Sequence, residues 1–417
     1  MTYWREVTHN WRFLAAASLG LSAGFLVFAY FNNHFVPPLL KEFGWSNSQL
    51  SLVGVTVIIP AICLPVVGRL TDIYGVRRIA SVGVVGAPLL FVAMSMMTGD
   101  FLLYFLLTAL QSIVVGATTT SLVYSRLVAQ HFNLARGFAV GLSASAPALI
   151  GAISAPLLSG FIAEHGWRMG YLAVAGWSAA AGAVALALIP ASEAARRVAA
   201  APMPPFRLSD YWPLLRSRTF LIITIGILLC NLPYMMNGLQ LKNILLERSL
   251  DDSTAAWMIS LFATGVVTGR LLCGIALDRF PPPVVAAVTL GLPAIGLFIL
   301  ASGSQVEPML AVAVSVLGLS LGAEADILAY LVMRYFKVEI YSTILGLVLA
   351  SAAISAAFGS MLLSVTLRFS DSFTPFLLLT AVTTVIGSAL YLLLGRASTS
   401  AAVLRRSAGE ARLLNDA

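Results

Sequence analysis

Arg270 stands in the apolar run Thr268-Gly-Arg-Leu-Leu-Cys-Gly-Ile-Ala-Leu-Asp-Arg-Phe280. A guanidinium there can grip a carboxylate through two parallel hydrogen bonds. Left unpaired in lipid it would cost several kcal/mol, so a charge at such a position marks a candidate site. A second apolar run, Gly322-Ala-Glu-Ala-Asp-Ile-Leu-Ala-Tyr-Leu-Val-Met-Arg334, carries two acids, Glu324 and Asp326. Both are candidate proton carriers, because a carboxyl withdrawn from water can exchange a proton near neutral pH. His34 is a third candidate, since histidine as a residue type titrates in that range. Its competing use is a hydrogen-bonded interfacial role beside Asn32 and Asn33.

Depth relates the three charges of the two runs. Arg270 lies eight residues before Asp278, about 12 Å along a helix rising 1.5 Å per residue. By the same rise Glu324 and Asp326 lie about 15 and 12 Å from Arg334. Two readings of Arg270 therefore stand: it holds a substrate carboxylate, or it is paired internally with one of these acids. Two residues apart on a helix, Glu324 and Asp326 face different ways, so one at most readily meets Arg270.

Neutral polar groups complete the candidate set. Asn231, Tyr234 and Asn237 recur every third residue and so share one helical face. With Tyr124 and Asn33 they would suit a small polar solute that keeps an apolar body. Packing between helices is the competing use of such side chains.

The elements that position these groups are membrane spans. Of the 417 residues 59% are hydrophobic and only 10% charged, with a net charge of +7. Soluble domains carry roughly a quarter charged residues, and apolar runs of about 20 residues are long enough to cross a bilayer as helices. Twelve spans are expected near 13–36, 48–69, 79–98, 102–128, 137–163, 167–190, 219–241, 253–276, 282–302, 307–333, 341–366 and 372–395. With the N-terminus inside, Lys41, Arg168, Lys242, Arg248 and Arg368 fall in outer loops. The other basic residues, Arg270 apart, collect on the cytoplasmic side, which puts both termini there. No phosphate-binding loop, metal cluster or hydrolase motif is present. The chain is thus expected to be no enzyme, to use no cofactor or metal, and to bind no nucleic acid.

The chain reads as two halves. Residues 1–190 form a first six-helix bundle, 191–217 a Pro- and Arg-bearing cytoplasmic linker, 218–396 a second bundle and 397–417 a cytoplasmic tail. Gly68-Arg-Leu-Thr-Asp72 after the second span is repeated as Gly274-Ile-Ala-Leu-Asp278 after the eighth. A parallel repeat of six helices implies a pseudo-two-fold axis along the membrane normal and a mid-membrane site between halves.

Gly68-Arg-Leu-Thr-Asp-Ile-Tyr-Gly-Val-Arg-Arg78 resembles the signature loop of the major facilitator superfamily, with Gly68, Leu70, Asp72, Gly75, Arg77 and Arg78 filling its pattern. The resemblance covers about residues 10–395. It implies an all-α fold of twelve transmembrane helices in two pseudo-symmetric six-helix bundles. It also implies that Gly68, Asp72, Gly75, Arg77 and Arg78, with Gly274 and Asp278, act as an inner-gate latch. Arg126 and Arg136, at the inner end of the fourth span, are read as gate or lipid contacts. Gln111 stands where the superfamily often places an arginine.

Within the superfamily, two stretches look like the monocarboxylate and oxalate–formate carriers. One is Phe35-Val-Pro-Pro-Leu-Leu-Lys-Glu-Phe-Gly-Trp-Ser-Asn-Ser-Gln-Leu-Ser51, and the other is Gly269-Arg270 with Gly274 and Asp278 beyond it. The resemblance makes Arg270 the arginine for a substrate carboxylate and puts His34 where the animal carriers have a lysine. Val266 stands where they have an aspartate, and Ile344–Val365 lacks the second basic residue of the oxalate carriers. One fixed positive charge favours a monoanion over a dicarboxylate.

The expected function is secondary active transport of a small organic anion, a monocarboxylate, across the cytoplasmic (inner) membrane by proton symport with alternating access. Expected partners are that anion, protons and the lipid bilayer, with the protein a monomer. Two other readings remain open: proton-driven efflux of amphiphilic compounds, and a non-transporting membrane sensor.

Overall fold

A computed structural model describes residues 2–45, 58–190, 208–234, 240–248, 250–370 and 372–415, with positions 53, 56 and 236. Among the described residues sixteen α-helices are delimited, in order. They are α1 (Tyr3–His9), α2 (Trp11–Ser22), α3 (Phe25–Phe43), α4 (Ile58–Tyr74), α5 (Val76–Ser95), α6 (Phe101–Thr118), α7 (Ser121–His131) and α8 (Arg136–Leu188). The remainder are α9 (Leu208–Leu215), α10 (Arg218–Cys230), α11 (Leu241–Glu247), α12 (Asp252–Arg279), α13 (Pro282–Ala301), α14 (Glu307–Tyr335), α15 (Tyr341–Ser370) and α16 (Thr374–Asn415). The described residues contain no strand.

Local chemistry sets many of the ends. Asp100, Ser217 and Asp251 cap α6, α10 and α12 by accepting backbone N–H groups of the first turn, the use that short polar side chains find at helix starts. Gly75 divides α4 from α5 with φ 82° and ψ 162°, and Gly166 kinks α8 with the same angles. That backbone region is essentially closed to residues with a Cβ.

Nine helices among the described residues are long and apolar enough to cross a membrane. The other three expected spans differ from simple rods. The first is broken at Ala23–Gly24 between α2 and α3. The second starts among residues outside the described set and continues as α4. The seventh stops at Cys230, because Pro233 has no N–H to donate and restricts the residue before it.

The chain divides into two compact units: residues 1–204 with 328–350, and residues 205–327 with 351–417. Residues 191–207 of the expected linker lie outside the described set. Aromatic side chains fill the core of the first unit. Phe35 stacks on Tyr171 with centroids 4.0 Å apart, Phe28 meets Phe91, and Trp45 stacks on Tyr104. In the second unit Met236, Leu241, Met258, Leu297, Leu310 and Phe376 belong to one buried cluster.

Candidate functional site

The charges of α12 and α14 are placed by glycine. Gly265 and Gly269 on α12 and Gly318 and Gly322 on α14 are each spaced by four residues. A methyl group added at Gly265 or Gly269 would meet the α14 backbone at Ser315 or Leu319, and one at Gly318 or Gly322 the carbonyls of Phe262 or Val266. Small residues at four-residue spacing let helix backbones approach this closely. Arg270 follows Gly269, and Glu324 and Asp326 follow Gly322 by two and four residues. The crossing therefore brings all three charges into one layer.

Within that layer the two acids part company. Asp326 is buried at 2% exposure, and the Arg270 charge acts on it from α12. Cys273, one turn beyond Arg270, also feels the Asp326 carboxyl. Glu324 points roughly 200° away around the helix, two steps of about 100° each. It lines a chamber of about 10 Å³ with Cys230, Asn231, Tyr234 and Ser320.

Of the three residues expected on one helical face, Asn231 and Tyr234 follow the end of α10 and line one chamber. α10 ends at Cys230 and the chain turns. Asn231 is buried and donates its side-chain amide to the Ala352 carbonyl at 2.9 Å, whereas Tyr234 is 40% exposed. Asn237 lies outside the described residues.

The signature loop of the first unit carries a second constellation. The Asp72 carboxylate accepts the backbone N–H groups of Ser342 (3.1 Å) and Thr343 (2.7 Å) and the Thr343 hydroxyl (2.6 Å). These are the exposed donors of the first turn of α15, so Asp72 caps that helix across 270 residues of chain. Arg126 forms a buried ion pair with Asp72 and donates to the Ser342 hydroxyl at 3.2 Å. Ser125 and Tyr341 share a hydrogen bond beside them. Gly68 allows the approach, since a Cβ there would strike the Ser342 carbonyl. Arg77 donates to the Ile189 carbonyl at 2.6 Å, and Arg78 is exposed. In the repeat of this motif, Gly274 is buried and Asp278 half-buried on α12.

A third arrangement had no sequence signal. Glu6 of α1 is buried, and its carboxylate accepts the backbone N–H groups of Asn133, Leu134 and Ala135, where α8 begins. Asn10 donates to the His131 carbonyl, and Phe13 stacks on the His131 ring at 3.5 Å. The short N-terminal helix is thereby strapped to the turn between α7 and α8.

Other candidates are separated from these clusters. Tyr124 is fully buried with its ring against Gly20, and its hydroxyl has no hydrogen-bond partner among the described residues. His34 is half-buried on α3, and the side chain of Asn33 lies outside the described residues. Gln111 is fully buried on α6. Outside the spans, Glu42 accepts the Trp167 indole N–H and an Arg168 guanidinium N–H, which hold its carboxyl below the usual range. Asp251 is held well below that range by Ser253 and Thr254.

Comparison with known proteins places this arrangement. The family model for the Major Facilitator Superfamily matches residues 12–241 and 224–415. Human monocarboxylate transporter 11 is 27% identical over 383 residues, covering 87% of this chain and 78% of that protein. Two solved structures share the fold. The human organic anion transporter MFSD10 (TETRAN) superposes with a TM-score of 0.69 at 16% identity, covering 92% of this chain and 99% of that one. A bacterial homologue of the iron transporter ferroportin, in an outward-facing state, superposes with a TM-score of 0.68 at 14% identity, covering 93% and 99%. With the signature loop built around Asp72 and apolar helices on both sides of the division, the chain is an all-α polytopic membrane protein belonging to the Major Facilitator Superfamily of transporters.

Proposed function

We propose that this chain carries a small organic monoanion, a monocarboxylate, across the cytoplasmic membrane by proton symport, alternating access between the halves 1–190 and 218–396. Both termini lie on the cytoplasmic side in this reading. The observation that carries it is the layer in which Arg270 meets the field of Asp326. A substrate carboxylate entering that layer competes for the guanidinium and brings one extra negative charge. In a low-dielectric interior such a charge is costly unless something offsets it. Proton uptake by His34, Glu324 or Asp326 supplies the offset, and this ties proton to substrate. The relation to monocarboxylate transporter 11 and the fold shared with an organic anion transporter support the same substrate class. The Asp72 cluster and its partners Arg126 and Thr343 serve as the inner latch of the cycle.

The test is uptake into proteoliposomes of lactate, pyruvate and acetate, with and without an inward proton gradient. Arg270→Gln, at matched reconstitution, is expected to lose roughly 10- to 100-fold in uptake, the equivalent of one charge-assisted hydrogen-bonded contact. Undiminished uptake by that variant overturns the assignment.

A second reading, proton-driven efflux of amphiphilic compounds, is favoured by one feature. The first unit contains an apolar cavity of about 400 Å³ lined by Phe31, Ile150, Ile153, Leu157, Phe161 and Trp177, with Ser154 as a polar member. Resistance to hydrophobic cations on expression, with no carboxylate uptake, would select this reading.

A further inference from the structure

We propose that Glu324, in its chamber with Asn231, Tyr234 and Ser320, is the carboxyl that takes up and releases the coupling proton. The proposal deepens the symport reading by choosing one proton site among the candidates. It begins with composition. The chamber is lined by a carboxyl, an amide, a phenol, a serine hydroxyl and the Cys230 thiol, and its remaining lining is leucine and proline. No Lys, Arg or His is among these lining residues. Glu324 is half-buried there, and a carboxylate set among neutral dipoles, with no cation in the lining, is costly to withdraw from water. A proton removes the charge at once.

Among the described residues, the groups that neighbouring helices turn toward Glu324 are neutral. The Cys230 thiol comes from α10 and the Tyr391 phenol from α16, and both feel the Glu324 carboxyl. Tyr234 comes from the turn after α10, while α13 offers Leu290 and Pro293. On α14 itself, Asp326 faces the Arg270 and Cys273 side. The layer thus divides the work. Arg270 and Asp326 form the charged side that a substrate anion perturbs, and Glu324 forms the side on which the added charge is offset.

Size also fits proton exchange. At about 10 Å³ the chamber has room for one water, near the minimum such a site needs, and none for an organic anion. Asn231 is anchored by Ala352, so its amide is held in place beside the carboxyl. In the step itself a hydronium gives its proton to a Glu324 carboxylate oxygen. One O–H bond forms as another breaks, leaving water and a neutral acid. Release is the reverse, to water on the other side of the membrane.

Infrared difference spectroscopy on the purified full-length protein, titrated from mildly alkaline to mildly acidic buffer, tests this without any substrate. The expected result is a protonated-carboxyl stretch that appears on acidification, is lost in Glu324→Gln and persists in Asp326→Asn. Ser320→Ala, which leaves the carboxyl in place, is expected to shift the frequency of the same band. A band that survives Glu324→Gln, or that is lost in Asp326→Asn instead, overturns the proposal. Proteoliposomes then separate it from the symport reading. Glu324→Gln is expected to lose gradient-driven lactate accumulation while keeping lactate exchange. A Glu324 band in a wild-type protein that moves no protons with lactate would retire symport and leave the proton site standing.

Discussion

Asp72 and Thr343 meet twice, through the Thr343 backbone N–H at 2.7 Å and its hydroxyl at 2.6 Å, and Arg126 closes on the same carboxylate. One carboxyl therefore serves as a helix cap and as an ion-pair partner, with both charged side chains at 1% exposure or less. Asp72→Asn removes the countercharge of Arg126 and leaves a buried cation. The expected loss is about 3–5 kcal/mol of stability, read as thermal unfolding in detergent. Arg126→Gln added to Asp72→Asn is expected to cost less than the two single changes combined, because the uncompensated charge is gone.

Glu6 offers a test that separates a strap from a passive contact. Its three backbone partners are N–H groups of the turn that joins α7 to α8, which no helix ladder satisfies. Glu6→Ala is expected to lower stability by about 1–3 kcal/mol. The distinguishing readout is local: amide exchange at Asn133, Leu134 and Ala135 accelerates, while amides in α13 and α16 do not.

The crossing of α12 and α14 predicts an asymmetry between glycines. At Gly269 and Gly322 an added methyl meets a backbone carbonyl of the opposite helix, whereas at Gly160 it meets nothing within 4 Å. Gly322→Ala is expected to cost about 1–3 kcal/mol through overpacking and to lower lactate uptake by parting α12, which carries Arg270, from α14. Gly160→Ala is expected to change neither melting temperature nor uptake.

The Glu42 tie concerns pH. Hydrogen bonds from Trp167 and Arg168 hold the folded-state pKa below the ordinary 4.5. A depressed carboxyl contributes stability that is present above its unfolded pKa and lost only as pH falls through the folded value. The tie is therefore expected to hold at every pH from neutral down to about 5. Trp167 fluorescence, isolated as the difference between wild type and a Trp167→Phe variant, should be constant over that range. Glu42→Gln should shift it at neutral pH.

Much of the fold was legible in the sequence because lipid imposes a strict rule. Backbone groups in hydrocarbon must be satisfied within the segment, so a run such as Val76–Ser95 or Pro282–Ala301 has one available structure. The signature loop was legible for a similar reason. Gly75 is needed at φ 82°, and a glycine beside a charged pair marks a tight turn at a membrane surface. The breaks were harder to place. Pro233 could have warned that α10 stops early, yet helices in membranes do tolerate proline when neighbours take up the freed groups.

The candidate site divides along another line. Arg270, Glu324 and Asp326 announce themselves as charges in apolar runs, and spacing alone separates the faces of the two acids. Which neighbour each acid meets depends on how helices distant in sequence pack. The Gly265–Gly269 and Gly318–Gly322 stripes set that for Asp326. The early end of α10 sets it for Glu324, by turning Asn231 and Tyr234 into its chamber. The buried pairing of Arg126 with Asp72 and the tie from Glu6 to the turn before α8 came from tertiary structure alone. Composition and periodicity determine that a segment enters the membrane and which face is polar. They carry no record of which backbone N–H groups, hundreds of residues away, a carboxylate will satisfy.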